Sequence, residues 1–435
     1  MAMDKDQFIC ESIVRALKGG LVPGRGIERI AVGRDGELAQ IRRDLEFGKN
    51  GGGWVRFFSG DYGVGKTFLC SLLREEAWKE GFVVSAVDLG REAPFHKFET
   101  IYHQIVEGMR TDHFREVPAF EFIVQEWLFN LEKEVQRSRG LNPLNPEHRA
   151  EVSTIVEHAI NDHLAQVRIY DTSFANALRG YYVASQQGNE AVATAAIGWL
   201  KGEPNVPAEL RREFNIRGTV DKESAFSFLR ALVALVVRIG YAGIVVLLDE
   251  AELIRGIARS DSRSAAYENI RLLMDKTAQG EFGCCGFIFA GTEDLFNDDL
   301  RGIPSYQALH DRLKPEQGRR RSKDYRRPLI ELQGFDKPKL QEVAAKVREV
   351  HGMAYAWPTA ERLTDELLAR LIEDISARFG EKLKTVPRGF LKVLVDVLDE
   401  LEQNPQLAPA DVLATGAHAD RIEEVEREEA HLQDT

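Results

Sequence analysis

The sequence predicts an α/β fold, a five-stranded parallel sheet with a helical insertion and a C-terminal helical lid. Three observations carry that expectation. The stretch Gly60-Asp61-Tyr62-Gly63-Val64-Gly65-Lys66-Thr67 fits the phosphate-binding pattern G-x-x-x-x-G-K-[ST]. It stands between an apolar run at 54–58 and the helically spaced Phe68, Leu69, Leu72 and Leu73, and strand, Gly-rich loop, helix is the context the pattern requires. Further apolar runs at 82–89, 244–248 and 284–290 are continuous rather than alternating, as in a parallel sheet covered on both faces. Between the second and third runs, residues 111–222 read as helix, too long for a simple crossover.

The loop has a chemical logic. A phosphate needs several backbone N–H donors converging on one point, a cation, and a hydroxyl for Mg²⁺. Glycines at 60, 63 and 65 let the chain curl until those donors face inward. Lys66 would reach the β- and γ-phosphates. Thr67 would hold Mg²⁺ and open a helix whose positive end faces the anion.

The 435 residues suggest two or three domains, and a 44% hydrophobic fraction can fill a sizeable core. A net charge of −12 argues against a general nucleic-acid coat, so any DNA contact would use a local basic patch. The four cysteines (Cys10, Cys70, Cys284, Cys285) lack metal-binding spacing, which fits a reducing cytoplasm better than a disulfide framework. No signal-peptide pattern and no membrane-length apolar run are present.

Taken in order, residues 5–18 carry an amphipathic helix closed by Gly19 and Gly20. Val32-Gly33-Arg34 reads as a turn, with Glu37 to Leu45 helical. Residues 82–89 form the second strand, and 98–109 look helical. The segment 111–222 breaks at 140–146 and 202–207, and its Trp127, Tyr181, Tyr182 and Trp199 are expected to serve as core. An apolar helix at 223–238 ends at Gly240 and Gly243. Next comes Ile244-Val245-Val246-Leu247-Leu248-Asp249-Glu250, a strand ending in two carboxylates. Downstream of a phosphate loop this is a Walker B pattern. Asp249 would hold Mg²⁺ at the strand's C-terminal edge and Glu250 would polarise the attacking water.

The fourth strand, 284–290, leads to Thr292, which would either orient water or serve as a turn or N-cap threonine. A fifth, short strand is expected within 326–332. Between those two strands runs a basic segment, 312–327. Within it, Arg312 is the candidate for reaching a neighbouring subunit's γ-phosphate, and the run 319–323 either touches nucleic-acid backbone or is a solvated loop. Amphipathic helices follow around 337–350, 361–379 and 388–402. Arg388 opens the last of them, where a cation is mildly disfavoured by the helix dipole, so a role over the phosphates is considered beside a plain surface position. The tail from 420 is Glu-rich and reads as solvated.

Together the phosphate loop, the Asp-Glu strand end, the polar residue after the fourth strand, the downstream arginine and the Pro-Arg lid helix resemble the AAA+ class of P-loop NTPases. The turn from Val32-Gly33-Arg34 to Glu37 looks like the segment that cups adenine in the origin-recognition and STAND-like branch, and Gly33-Arg34-Asp35-Gly36-Glu37-Leu38 is the first of three features by which the chain shows a narrower resemblance. With Phe58-Ser59 to Phe68-Leu69 around the loop and Leu248-Asp249-Glu250-Ala251-Glu252, it is most similar to the ATP-binding proteins of bacterial BREX anti-phage systems, the BrxD type. The resemblance implies ATP and Mg²⁺ as ligands. It implies contacts to nucleotide from Gly33, Arg34 and the loop through Phe68, with Thr292 as sensor 1, Arg312 as arginine finger and Arg388 as sensor 2. The corresponding division is an N-terminal helix and loop (1–30), a core in two parts (31–110 and 223–333), an insertion (111–222), a lid (334–404) and an acidic tail (405–435). Initiator-type relatives often carry a winged helix after the lid. With about 30 residues left here, autonomous sequence-specific DNA binding is not expected.

The expected function is a cytoplasmic, homo-oligomeric ATPase in antiviral defence. Its nucleotide state would control assembly with itself or with other defence-system proteins, on DNA contacted through 312–327. A non-hydrolysing, nucleotide-gated scaffold is the reading from a different class. The intact Asp249 and Glu250 argue against it, because a pure binder does not need the second carboxylate. A DNA helicase, suggested by Asp249-Glu250-Ala251, would need a second strand-bearing motor domain, and 333–435 reads as helices alone.

Overall fold

The computed structural model describes residues 3–141, 145–313, 324–379 and 387–414. Its six strands are β1 (Gly53–Ser59), β2 (Val83–Asp88), β3 (Met109–Arg110), β4 (Ile244–Asp249), β5 (Cys285–Gly291) and β6 (Leu329–Glu331). They form one sheet in the order β3-β2-β4-β5-β1-β6. β2 with β4 and β4 with β5 are parallel pairs, whereas β3 runs antiparallel to β2. The expected five-stranded, wholly parallel sheet is therefore corrected to a mixed sheet of six. The added strand is two residues at the end of the helix Phe98–Gly108, where Ser85 and Val84 pair with Met109 and Arg110. A two-residue strand has no periodicity to read.

The chain divides into two compact units, and the division passes through β1. One comprises Met1–Gln40, Phe58–Arg74 and Asp324–Thr435, and the other Ile41–Phe57 and Glu75–Lys323.

In the second unit, aromatic rings fill the space over the sheet. Phe57 and Phe289 stack with centroids 5.0 Å apart, and Phe95 meets Phe289 edge-on at 5.4 Å. The inserted segment is helical, with Phe120–Arg139, Pro146–His163, Ala165–Tyr170, Thr172–Gln186, Glu190–Leu200 and Ala208–Glu213. Trp127, Tyr181, Tyr182 and Trp199 are all buried there, as expected of core residues. Helix Ala225–Ile239 supplies Phe228, around which Tyr102, Phe174 and Trp199 gather at 5.7, 5.8 and 5.0 Å. The Tyr102 hydroxyl donates to the Leu200 carbonyl at 2.7 Å, so this buried phenol is satisfied.

In the first unit, helix Lys5–Lys18 lays Cys10, Ile13, Val14 and Leu17 into a core shared with helices Lys337–Tyr355, Asp365–Phe379 and Pro387–Gln403. A polar chain runs through that core. Trp357 Nε1 donates to His351 Nδ1 at 2.9 Å, His351 Nε2 meets Asp399 Oδ1 at 2.9 Å, and Lys18 also pairs with Asp399. Among the described residues, no helix is long and apolar enough to cross a membrane.

Candidate functional site

The phosphate loop belongs to the first unit. It leaves β1 after Ser59 and ends where helix Lys66–Lys79 begins. Asp61, Tyr62, Gly63 and Thr67 are exposed, whereas Gly60, Val64 and Lys66 are buried. Lys66 Nζ donates to the loop's own carbonyls, Gly60 O at 2.9 Å and Asp61 O at 3.1 Å, and lies 5.2 Å from the Tyr62 ring centroid. Phe68 is half-buried against the helical core of the same unit.

The turn ahead of the loop closes on it. Gly33 has φ +64, a backbone that favours glycine, and a Cβ there would meet the movable Lys339 side chain at 2.9 Å. Arg34 is 4% exposed. Its Nη2 donates to the Val64 carbonyl, its Nη1 to the Gln333 carbonyl at 3.2 Å, and Glu37 lies 3.9 Å away. Burial lowers the Arg34 pKa, with Glu37 and Tyr325 pulling the other way.

The acidic strand end belongs to the second unit. Asp249 closes β4, and its Oδ1 accepts from the Glu250 N–H at 3.0 Å. Glu250 adopts φ 55, a left-handed conformation that few non-glycine residues take. Thr292 follows β5, the strand between β4 and β1 in the sheet. It is the N-cap residue of the short helix Glu293–Asn297, but its side chain makes no capping bond. Its backbone N–H donates instead to Glu252 Oε2 at 3.3 Å.

Two carboxylates here were given no role from sequence. Glu252 is buried and ties the end of β5 to the turn after β4. Asp88 pairs in register with Asp249 across parallel strands. Burial and then the Asp249 charge raise its pKa. For Asp88 the sequence carries a signal, since like Asp249 it closes an apolar strand.

The two candidate arginines have partners of their own. Arg312, at the end of helix Gln307–Leu313, forks onto Asp275. Arg388, exposed in the first turn of Pro387–Gln403, donates through Nε to the Gly20 carbonyl. Residues 314–323, with the basic run 319–323, lie outside the described residues, as do 415–435 of the acidic tail.

The Thr67 hydroxyl and the Asp249 carboxylate are the hard oxygen donors that Mg²⁺ takes, and Mg²⁺ held through substrate phosphates needs only one or two such protein ligands. Thr67 lies in the first unit and Asp249 in the second, and each is of the donor type that this ion takes. No curated protein matches this chain. The model of the family described as BREX system ATP-binding protein BrxC/D matches residues 7–416, and the chain belongs to that family.

Proposed function

We propose that this BREX ATP-binding protein is a cytoplasmic, Mg²⁺-dependent ATP hydrolase whose nucleotide state controls assembly with itself or with other BREX proteins, on DNA. Lys66 and the N–H groups of residues 60–67 take the β- and γ-phosphates. Thr67 and Asp249 would hold Mg²⁺, which when bound neutralises charge on those phosphates. Glu250 accepts the proton of the attacking water and Thr292 orients that water. Arg312 of a neighbouring copy reaches the γ-phosphate, and the helices from 337 to 403 act as a lid that carries Arg388.

The observation that supports hydrolysis over binding alone is the backbone of Glu250. A glutamate held at φ 55 costs about 1–3 kcal/mol, and such strain collects at functional sites. It aims a second carboxylate from a fixed point just after Asp249. A nucleotide-gated scaffold remains the second reading, favoured by Arg312 being engaged with Asp275 within its own chain.

Hydrolysis by the purified chain decides between them, run beside Glu250→Gln and Arg312→Ala, with and without duplex DNA, across protein concentrations. Specific activity that rises with concentration or DNA, and is lost in both variants, supports the composite ATPase. Wild-type turnover no greater than that of Glu250→Gln under every condition would leave the scaffold.

A further inference from the structure

Arg34 is a buried cation, and the partners it meets are unusual. A guanidinium taken out of water needs its donors satisfied, most often by carboxylates in a bidentate pair. Here Nη2 and Nη1 go instead to two backbone carbonyls, those of Val64 and Gln333, with the Glu37 carboxylate only at 3.9 Å. Both carbonyls sit at points of interest. Val64 is inside the phosphate loop, and Gln333 lies in the connection between β6 and helix Lys337–Tyr355.

The Val64 carbonyl and the Gly65 N–H belong to one planar trans peptide, so they point in opposite directions. Holding the carbonyl on Arg34 therefore turns the Gly65 N–H away from the guanidinium. Gly65 has φ +91, a backbone that suits glycine, and a Cβ there would lie in ordinary contact with Arg34 Nη2 at 3.5 Å. An N–H of this loop is useful only if it is aimed before the anion arrives, because a peptide free to rotate would have to be ordered on binding.

We propose that Arg34 is a positioning residue of the phosphate loop: it fixes the Val64–Gly65 peptide so that the Gly65 N–H serves as a phosphate donor, and it joins the loop to the connection that leads into helix Lys337–Tyr355. The inference rests on nucleotide binding at the loop. It differs from an adenine contact by Arg34, since it predicts recognition of phosphate rather than base.

The test is titration calorimetry on the full chain with MgATP, MgGTP and inorganic tripolyphosphate, for wild type, Arg34→Met, Arg34→Lys and Lys66→Ala. Arg34→Met should weaken ATP and tripolyphosphate together, by about tenfold or more, and leave the ATP-to-GTP ratio unchanged. Arg34→Lys keeps the charge without the fork and should fall between. Amide exchange of nucleotide-free Arg34→Lys should quicken in residues 60–67 and in 332–336, with the rest of the chain unaltered. Where Arg34→Met fails to fold, the lysine variant decides. Unchanged tripolyphosphate affinity, or a loss confined to ATP against GTP, would overturn the proposal. Wild-type affinity in Lys66→Ala would instead overturn nucleotide binding at this loop.

Discussion

Arg312 forks onto Asp275, Nε to Oδ1 at 2.6 Å and Nη2 to Oδ2 at 2.8 Å. Arg271 meets the same carboxylate at 2.7 Å. A finger that works on a neighbour must first leave this pair. A half-exposed pair of this kind contributes on the order of 0.2–1 kcal/mol. Asp275→Asn should therefore shift the concentration at which turnover rises downward by a factor of about two to five. Steady-state ATPase assays over a dilution series read this directly. If Asp275→Asn lowers turnover in step with its melting temperature, Arg312 is a structural partner of Asp275 and not a finger.

Glu250 separates stability from activity. Its left-handed backbone is compatible with glycine at no steric cost. Glu250→Gly should thus recover part of the stored strain and stabilise the fold by about 1 kcal/mol, less the added unfolded-chain entropy. Glu250→Gln keeps the strain and should melt with wild type. Both should lack turnover while still binding ATP. Thermal melts beside nucleotide titration check the pair, and a Glu250→Gly that is destabilised by more than Glu250→Gln would remove the strain argument.

The sequence made strands legible wherever burial on both faces forced an apolar run, and β1, β2, β4 and β5 all begin and end within a residue or two of those runs. What it could not carry is pairing. Met109 and Arg110 become a strand only because Val84 and Ser85 are there to receive them. Asp275 lies 37 residues from Arg312 and carries no mark of its partner. The expected helix at 361–379 is instead a short helix Thr359–Arg362 and a longer one, Asp365–Phe379. There the cue was local and readable. The Thr364 hydroxyl accepts from the Leu367 N–H at 3.4 Å, and Asp365 and Glu366 fill the first turn, all marks of a helix start. The phosphate loop was legible because its chemistry depends on residue type and spacing. The Arg34 contacts were not, because backbone carbonyls carry no sequence signal.

Asp88 makes the end of β2 pH-sensitive. Burial and the Asp249 charge raise its folded pKa above the unfolded value, so the folded state binds this proton more tightly. Its contribution therefore destabilises the fold at neutral pH, and that penalty disappears as pH falls through the raised value toward the ordinary carboxylate range. Asp88→Asn removes the charge at every pH. It should be more stable than wild type at pH 7, with the gain vanishing once wild-type Asp88 is protonated. Chemical denaturation at several pH values checks the sign, and a gain that persists unchanged in acid would show that the charge is not its cause.

His351 is fully buried, and its tautomer follows from its neighbours. An indole N–H can only donate, so Nδ1 must accept from Trp357, which leaves the Nε2–H to donate to Asp399. The ring thus bridges a donor and an acceptor, joining helices Lys337–Tyr355 and Pro387–Gln403, with Lys18 bringing in the N-terminal helix. Trp357→Phe deletes the donor and leaves Nδ1 buried without its partner, at a cost of about 1–3 kcal/mol. His351→Ala strands both neighbours and empties a buried ring, and should cost more, about 3 kcal/mol or above. Denaturant unfolding measures both. Because the network holds helices and not the phosphate loop, MgATP affinity should stay within about twofold of wild type in Trp357→Phe at a temperature where both are folded. A tenfold loss there would tie this helical core to nucleotide binding.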